Sequence, residues 1–84
     1  MRYDVDLKPR ALKDLRHIPR EEASRIADAL EILADGLRGD VKRLARFMPE
    51  YRLRVGNYRV LFEIENGRRI MVYRVRHRRE AYRT

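Results

Sequence analysis

The stretch from Tyr51 to Arg76 constrains this chain more than any other, because its apolar residues recur at every second position and two turn dipeptides interrupt them. Tyr51, Leu53 and Val55 alternate with Arg52 and Arg54. Tyr58, Val60, Phe62 and Ile64 alternate with Arg59, Leu61, Glu63 and Glu65, and Met71, Tyr73 and Val75 alternate with Ile70, Val72, Arg74 and Arg76. Gly56-Asn57 places glycine at the first central position, as a II′ turn requires, and Asn66-Gly67 is the strongest short hairpin signal. A three-stranded antiparallel meander is predicted.

Turn length sets register, and register places the arginines. With two-residue loops, Val55 faces Tyr58, Arg54 faces Arg59 and Arg52 faces Leu61. Across the second hairpin, Glu65 then faces Arg68, Glu63 faces Ile70 and Arg59 faces Arg74. One face carries Tyr51, Leu53, Val55, Tyr58, Val60, Phe62, Ile64, Met71, Tyr73 and Val75 as the core. The other carries Arg52, Arg54, Arg59, Arg74 and Arg76, with Arg54, Arg59 and Arg74 in one row across three strands.

The first half supplies the layer that covers the core face. Tyr3, Val5 and Leu7 alternate with polar neighbours and predict a short strand. Pro9 suits the first turn of a helix, whose stripe of Ala11, Leu12, Leu15 and Ile18 stops before Pro19. A second helix runs from about Arg20, with Ala23, Ile26, Ala27, Leu30, Leu33, Ala34 and Leu37 on its apolar side and Glu21 and Glu22 near its positive end; Gly36 and Gly39 stop it. Residues 40–50 read as a mixed connector in which Phe47-Met48-Pro49 tucks against the core. The expected fold is α+β: an N-terminal helical hairpin packed on one face of a small antiparallel sheet, as a single domain over residues 1–84.

Charge is distributed unevenly. The 84 residues hold 21 Lys+Arg against 13 Asp+Glu, a net of +8. Residues 1–50 contribute 11 basic and 10 acidic side chains, a net of +1, whereas residues 51–84 contribute ten arginines against Glu63, Glu65 and Glu80, a net of +7. Every basic residue in that second part is Arg. Its planar fork holds phosphate at two points and stacks on bases, which a lysine does not do. Exposed strands often carry Arg because its stem covers apolar neighbours. A row of like charges directly opposite one another nonetheless destabilises a sheet, and a bound anion reverses the sign of that effect. A phosphodiester is the expected anion. The absence of Cys excludes a disulfide framework and a thiolate zinc site and fits a cytoplasmic setting. No apolar run approaches a membrane span and no secretory signal pattern opens the chain, so no membrane partner is expected.

The run Tyr51-Arg52-Leu53-Arg54-Val55-Gly56-Asn57-Tyr58-Arg59-Val60-Leu61-Phe62-Glu63-Ile64, followed by Val75-Arg76-His77-Arg78-Arg79-Glu80-Ala81-Tyr82-Arg83, resembles the RelE/ParE superfamily of type II toxins. The opening strand, the Ala11-Leu12-Lys13-Asp14-Leu15 helix and the Arg43-Leu44 connector are similar to it as well. The resemblance implies a RelE-like toxin, an endoribonuclease that cuts mRNA in the ribosomal A site without a cofactor or metal. The RNA's own 2′-OH attacks, leaving a 2′,3′-cyclic phosphate. It also implies a cognate antitoxin, acidic and RelB-like, that wraps the basic face.

Carried over by position, the catalytic candidates are Arg52, Arg54, Arg59, Arg78 and Tyr82, with His77 beside them. Arg59 and Arg78 suit the dianionic phosphorane as fixed cations. Arg52 and Arg54 position the backbone and favour the ionised 2′-OH, and Tyr82 orients that hydroxyl or stacks on a base. Arginine stays protonated, so His77 is the candidate for acid–base work. Arg74, Arg76, Arg79 and Arg83 are candidates for RNA binding; Arg76 stands where relatives usually carry Gly. His17 reads as a structural or solvent-exposed residue, and Glu80 as an ion-pair partner for a nearby arginine. A ParE-like inhibitor of DNA gyrase and a non-catalytic RNA-binding module are the alternatives.

Overall fold

The computed structural model describes residues 1–82, with elements β1 (Asp4–Leu7), α1 (Pro9–Arg16), α2 (Arg20–Ala34), β2 (Asp40–Arg43), β3 (Tyr51–Val55), β4 (Tyr58–Glu65) and β5 (Arg69–His77). The strands form one sheet in the order β1-β5-β4-β3-β2. Pro9 opens α1, Pro19 caps α2, and Glu21 and Glu22 lie in the first turn of α2, where the helix dipole favours negative charge. Ala11, Ile26, Leu30 and Leu33 from the helices close over Leu53, Val60, Phe62, Ile70, Val72 and Val75, and Tyr51 stacks on Phe62 with ring centroids 5.5 Å apart. The helical hairpin on a sheet is thus as expected.

Three features differ from the sequence expectation. Residues 40–43 are not connector but the edge strand β2, paired antiparallel with β3 through Asp40–Arg54 and Arg43–Tyr51. A four-residue strand with the polar pattern Asp-Val-Lys-Arg has too few alternations to stand out. Secondly, β1 runs parallel to β5, so the sheet is mixed. The third difference concerns register. The Gly56-Asn57 hairpin pairs as read, with Val55 opposite Tyr58 and Arg54 opposite Arg59. Gly56 carries the positive φ of 58° that a II′ turn places there.

At Asn66-Gly67, both residues have positive φ, and the Arg68 amide bonds the Glu65 carbonyl at 3.1 Å. Glu65 is nevertheless paired with Arg69, one residue beyond the two-residue expectation. That single step reverses which side chains of β5 point inward: Ile70 and Val72 are buried, while Met71 and Tyr73 are not in the core. A β-bulge then leaves Tyr73 unpaired between Val72, opposite Phe62, and Arg74, opposite Leu61. The second step restores the expected facing, so Val75 is in the core and Arg74 and Arg76 return to the far side. Arg59 therefore lies opposite Arg76 and not Arg74.

The face away from the helices is not bare. Leu61 and Ala81 are both buried there, under the turn that follows β5 and beside segment 44–50. That segment is held by a Leu44 amide bond to the Glu50 carbonyl at 2.6 Å, a Glu50 amide bond to the Glu63 carboxylate at 2.6 Å, and the Arg43–Glu50 ion pair. Met48 at its tip is exposed, so of the expected Phe47-Met48-Pro49 contact only the flanking residues are part-buried.

Candidate nucleic-acid interface

The pleat sends Arg52, Arg54, Arg59 and Arg76 to the face opposite the helices, because their neighbours Leu53, Val60 and Val75 point into the core. Register aligns Arg54, Arg59 and Arg76 as facing residues on β3, β4 and β5. The row of three arginines exists, with Arg76 in place of Arg74.

Local partners divide these arginines into two sets. Arg52 is mostly covered, and its guanidinium donates to the Asp40 carbonyl at 2.8 Å and the Asp40 carboxylate at 3.1 Å. Arg54 is exposed, 3.9 Å from the other oxygen of the same carboxylate. The guanidinium of Arg59 donates to the carbonyls of Gly56 and Tyr58, both at 3.0 Å, which folds it over the hairpin tip. The Arg78 backbone amide donates to the Asn57 carbonyl at 2.7 Å, so Arg78 reaches the same tip from the end of β5. Arg59 and Arg78 are thereby brought to one end of the sheet.

Tyr82 returns across the face to Phe47, edge to face at 5.6 Å, and with Arg52, Lys42 and Arg43 lines a cleft of about 450 Å³. An adjoining groove of about 500 Å³ is floored by Leu61 and Ala81, walled by Phe47, Met48, Pro49 and Tyr73, and edged by Lys8, Arg10, Arg74 and Arg76. Apolar floor with cationic rim is the pattern that takes a base and its phosphate together. Lys8 and Arg10 are functional candidates that the sequence reading missed. They lie in the nearly neutral half of the chain, and only the parallel β1–β5 pairing carries the start of α1 beside this groove.

Other candidates are placed differently. Arg74 is tied to Asp14 of α1 by two hydrogen bonds, at 2.8 and 3.0 Å. His77 faces Tyr58 on the helix side of the sheet, with its ring edge-on to Tyr58 at 5.6 Å, so it does not share the surface of Arg54 and Arg59. Arg79 is exposed in the turn after β5, and its amide bonds Nδ1 of His77 at 3.3 Å. Arg83 lies outside the described residues. Among the described residues, no helix is long and apolar enough to cross a membrane.

Residues 5–82 match the family of ParE toxins of type II toxin–antitoxin systems, parDE. The chain is 37% identical over 76 residues to toxin RelE3 of Methanocaldococcus jannaschii, covering 84% of this chain and 85% of that one. Its structure superposes on the toxin–antitoxin complex RelBE2 from Mycobacterium tuberculosis with a TM-score of 0.79 at 25% identity, over 92% of this chain and 99% of that one. A chain of the RelB–RelE antitoxin–toxin complex from Methanococcus jannaschii matches with a TM-score of 0.74 at 31% identity, over 90% and 93% of the two chains. With near-complete coverage in sequence and fold alike, the chain belongs to the RelE/ParE superfamily and is a toxin of the type II toxin–antitoxin class.

Proposed function

We propose that this toxin is an mRNA endoribonuclease that acts on ribosome-bound message in the cytoplasm. The observation that carries the reading is the facing run Arg54–Arg59–Arg76 across β3, β4 and β5, with Arg78 brought to its end by the Asn57 carbonyl. Such a run of like charge is unfavourable in the free protein and favourable beneath a phosphodiester.

In the proposed reaction the 2′-oxygen forms a bond to phosphorus, the bond from phosphorus to the 5′-oxygen breaks, and a 2′,3′-cyclic phosphate remains. Arg59 and Arg78 stabilise the charge that accumulates on the phosphorane oxygens. Arg54 and Arg76 hold the flanking backbone, and Arg52, locked to Asp40, lends positive potential. Tyr82, which lines a cleft together with Arg52, is assigned the orientation of the 2′-OH. The 2′-OH proton is lost to solvent as the new bond forms and the departing 5′-oxygen takes a proton from solvent; neither passes through an arginine, which stays charged.

An antitoxin partner is part of the same reading. The matched RelBE2 and RelB–RelE structures are toxin–antitoxin complexes, and a chain of net charge +8 favours an acidic antitoxin wrapped over its basic face.

The test sets purified protein against ribosome-bound mRNA and, in parallel, against gyrase supercoiling. Cleavage that leaves a cyclic phosphate, with gyrase unaffected, is expected. Gyrase inhibition without cleavage supports instead the second reading, a ParE-like gyrase poison, which the ParE family match favours. Salt-sensitive RNA binding without cleavage marks a non-catalytic module.

A further inference from the structure

The groove does not end at β5. Arg10, Arg74 and Arg76 line both it and a second cleft, of about 410 Å³, between α1 and the C-terminal half of β5. The two spaces therefore meet around the strand edge. Both histidines of the chain, His17 and His77, line this second cleft.

Their hydrogen bonds assign their ring nitrogens. Nδ1 of His17 lies 2.8 Å from the Lys13 carbonyl oxygen, and a carbonyl only accepts, so Nδ1 carries a hydrogen and Nε2 is left over. Nδ1 of His77 accepts the Arg79 amide, so in the neutral ring the hydrogen sits on Nε2. The edge-on contact with Tyr58 restricts the His77 ring.

The charges around the cleft are mainly positive. Asp14 is occupied by Arg74 and by the Val75 amide. The other charged residues lining the cleft are Arg10 and Lys13 from α1, Arg76 from β5 and Glu80 in the following turn.

We propose that this cleft is a second phosphate site, which takes the backbone of the same single-stranded RNA after it leaves the groove. The proposal rests on RNA occupying the groove. Arg10 and Lys13 supply charge, Nε2–H of His77 gives a directed hydrogen bond, and His17 lines the cleft beside them. Lys13, His17 and His77 do not lie on the face that carries Arg54 and Arg59.

The experiment measures binding separately from cleavage. Fluorescently labelled 2′-deoxy oligonucleotides, which lack the attacking hydroxyl, are titrated into the full chain and into a Lys13→Gln/His17→Gln variant, with a His77→Gln variant as a second arm. Lys13 and His17 are exposed, so the double variant is expected to fold. A trinucleotide fits within the groove, whereas an octanucleotide reaches the cleft. Octanucleotide affinity should fall about tenfold in the double variant with a shallower salt slope, by roughly 0.7 per lost contact, while trinucleotide affinity stays unchanged. The His17 and His77 ring signals should move on addition of the octanucleotide alone.

Absence of octanucleotide binding, equal losses for both lengths, or histidine signals that stay still would overturn the proposal. Cleavage of ribosome-bound mRNA is scored on the same variants. A length-dependent loss without cleavage in the wild type keeps the phosphate site and removes the nuclease; cleavage with no length dependence does the reverse.

Discussion

Asp14 and Arg74, sixty positions apart in the chain, meet in a two-point ion pair, with Nε at 2.8 Å and Nη2 at 3.0 Å from the two carboxylate oxygens. The same carboxylate accepts the Val75 amide at 2.9 Å. Strand β1 pairs with β5 only as far as Val72, so beyond that point β5 is an edge, and Asp14 takes up a backbone donor that no strand serves. Both side chains are largely covered, with 25% of Arg74 and 16% of Asp14 exposed. Burial by itself pushes the Asp14 carboxyl up. The bonds from Arg74 and Val75, with the charges of Arg74 and Arg76, outweigh it and hold that carboxyl below its ordinary value. The bond to Asp14 raises Arg74 in turn, against the effect of burial.

Replacing Asp14 by Ala removes three acceptor contacts at once and should lower stability by about 1–3 kcal/mol. A reduced urea midpoint at unchanged slope is the expected reading. Asp14→Asn keeps an acceptor for Val75 and should lose less. An unaltered midpoint in Asp14→Ala would show that α1 is held to β5 by apolar packing alone.

Acid should weaken the fold through the same carboxylate. A carboxyl held low in the folded state contributes stability that is complete above its unfolded pKa and is lost as pH falls through its folded pKa. The stability gap between wild type and Asp14→Asn should therefore narrow between about pH 5 and about pH 2 and hold steady near neutrality. A gap that widens on acidification contradicts the assignment.

Arg59→Ala should abolish cleavage of ribosome-bound mRNA while changing stability by no more than about 0.5 kcal/mol, since its guanidinium bonds only carbonyls of its own turn. Paired melting curves and cleavage assays separate the outcomes. If Arg59→Ala fails to fold, the residue belongs to the hairpin and not to the chemistry.

Gly39 precedes β2 with φ at +128°, and a Cβ there would meet Cδ1 of Leu53 at 2.9 Å. Gly39→Ala should cost about 1–3 kcal/mol from backbone strain, before any shift of Leu53. Amide exchange should quicken first in β2, which pairs only with β3. Wild-type stability in this variant would mean that the edge strand moves aside freely.

Phe62→Ala tests the core and not the site. Phe62 is fully buried and stacked on Tyr51, so the loss should reach about 3–5 kcal/mol, enough to unfold a chain of this size at modest temperature. Retention of a cooperative melt near the wild-type temperature would contradict the packing described.

Local chemistry sufficed for much of this protein. The positive φ of Gly56, the turn at Asn66-Gly67, the prolines at the helix starts and the period-two alternation are each decided by a few neighbouring residues, and each is legible in the chain. So is the pairing of Arg54 with Arg59, because one tight turn determines it. What local chemistry could not decide was anything requiring an extra residue in β5. Arg69 opposite Glu65 and the unpaired Tyr73 together move Arg76, rather than Arg74, opposite Arg59, and bury Ile70 and Val72 in place of Met71 and Tyr73.

Both faces of β5 offer apolar residues in that stretch, so alternation alone cannot choose between them, and the choice falls to whichever set fits beneath Ala11, Ile26 and Leu33. The same holds for Asp14, Lys8 and Arg10, whose roles follow from the parallel contact of β1 with β5. The sequence by itself determined that a helical hairpin would cover a sheet bearing arginines on its other side. Only the tertiary structure decided which arginines meet, because that depends on packing between segments distant in the chain.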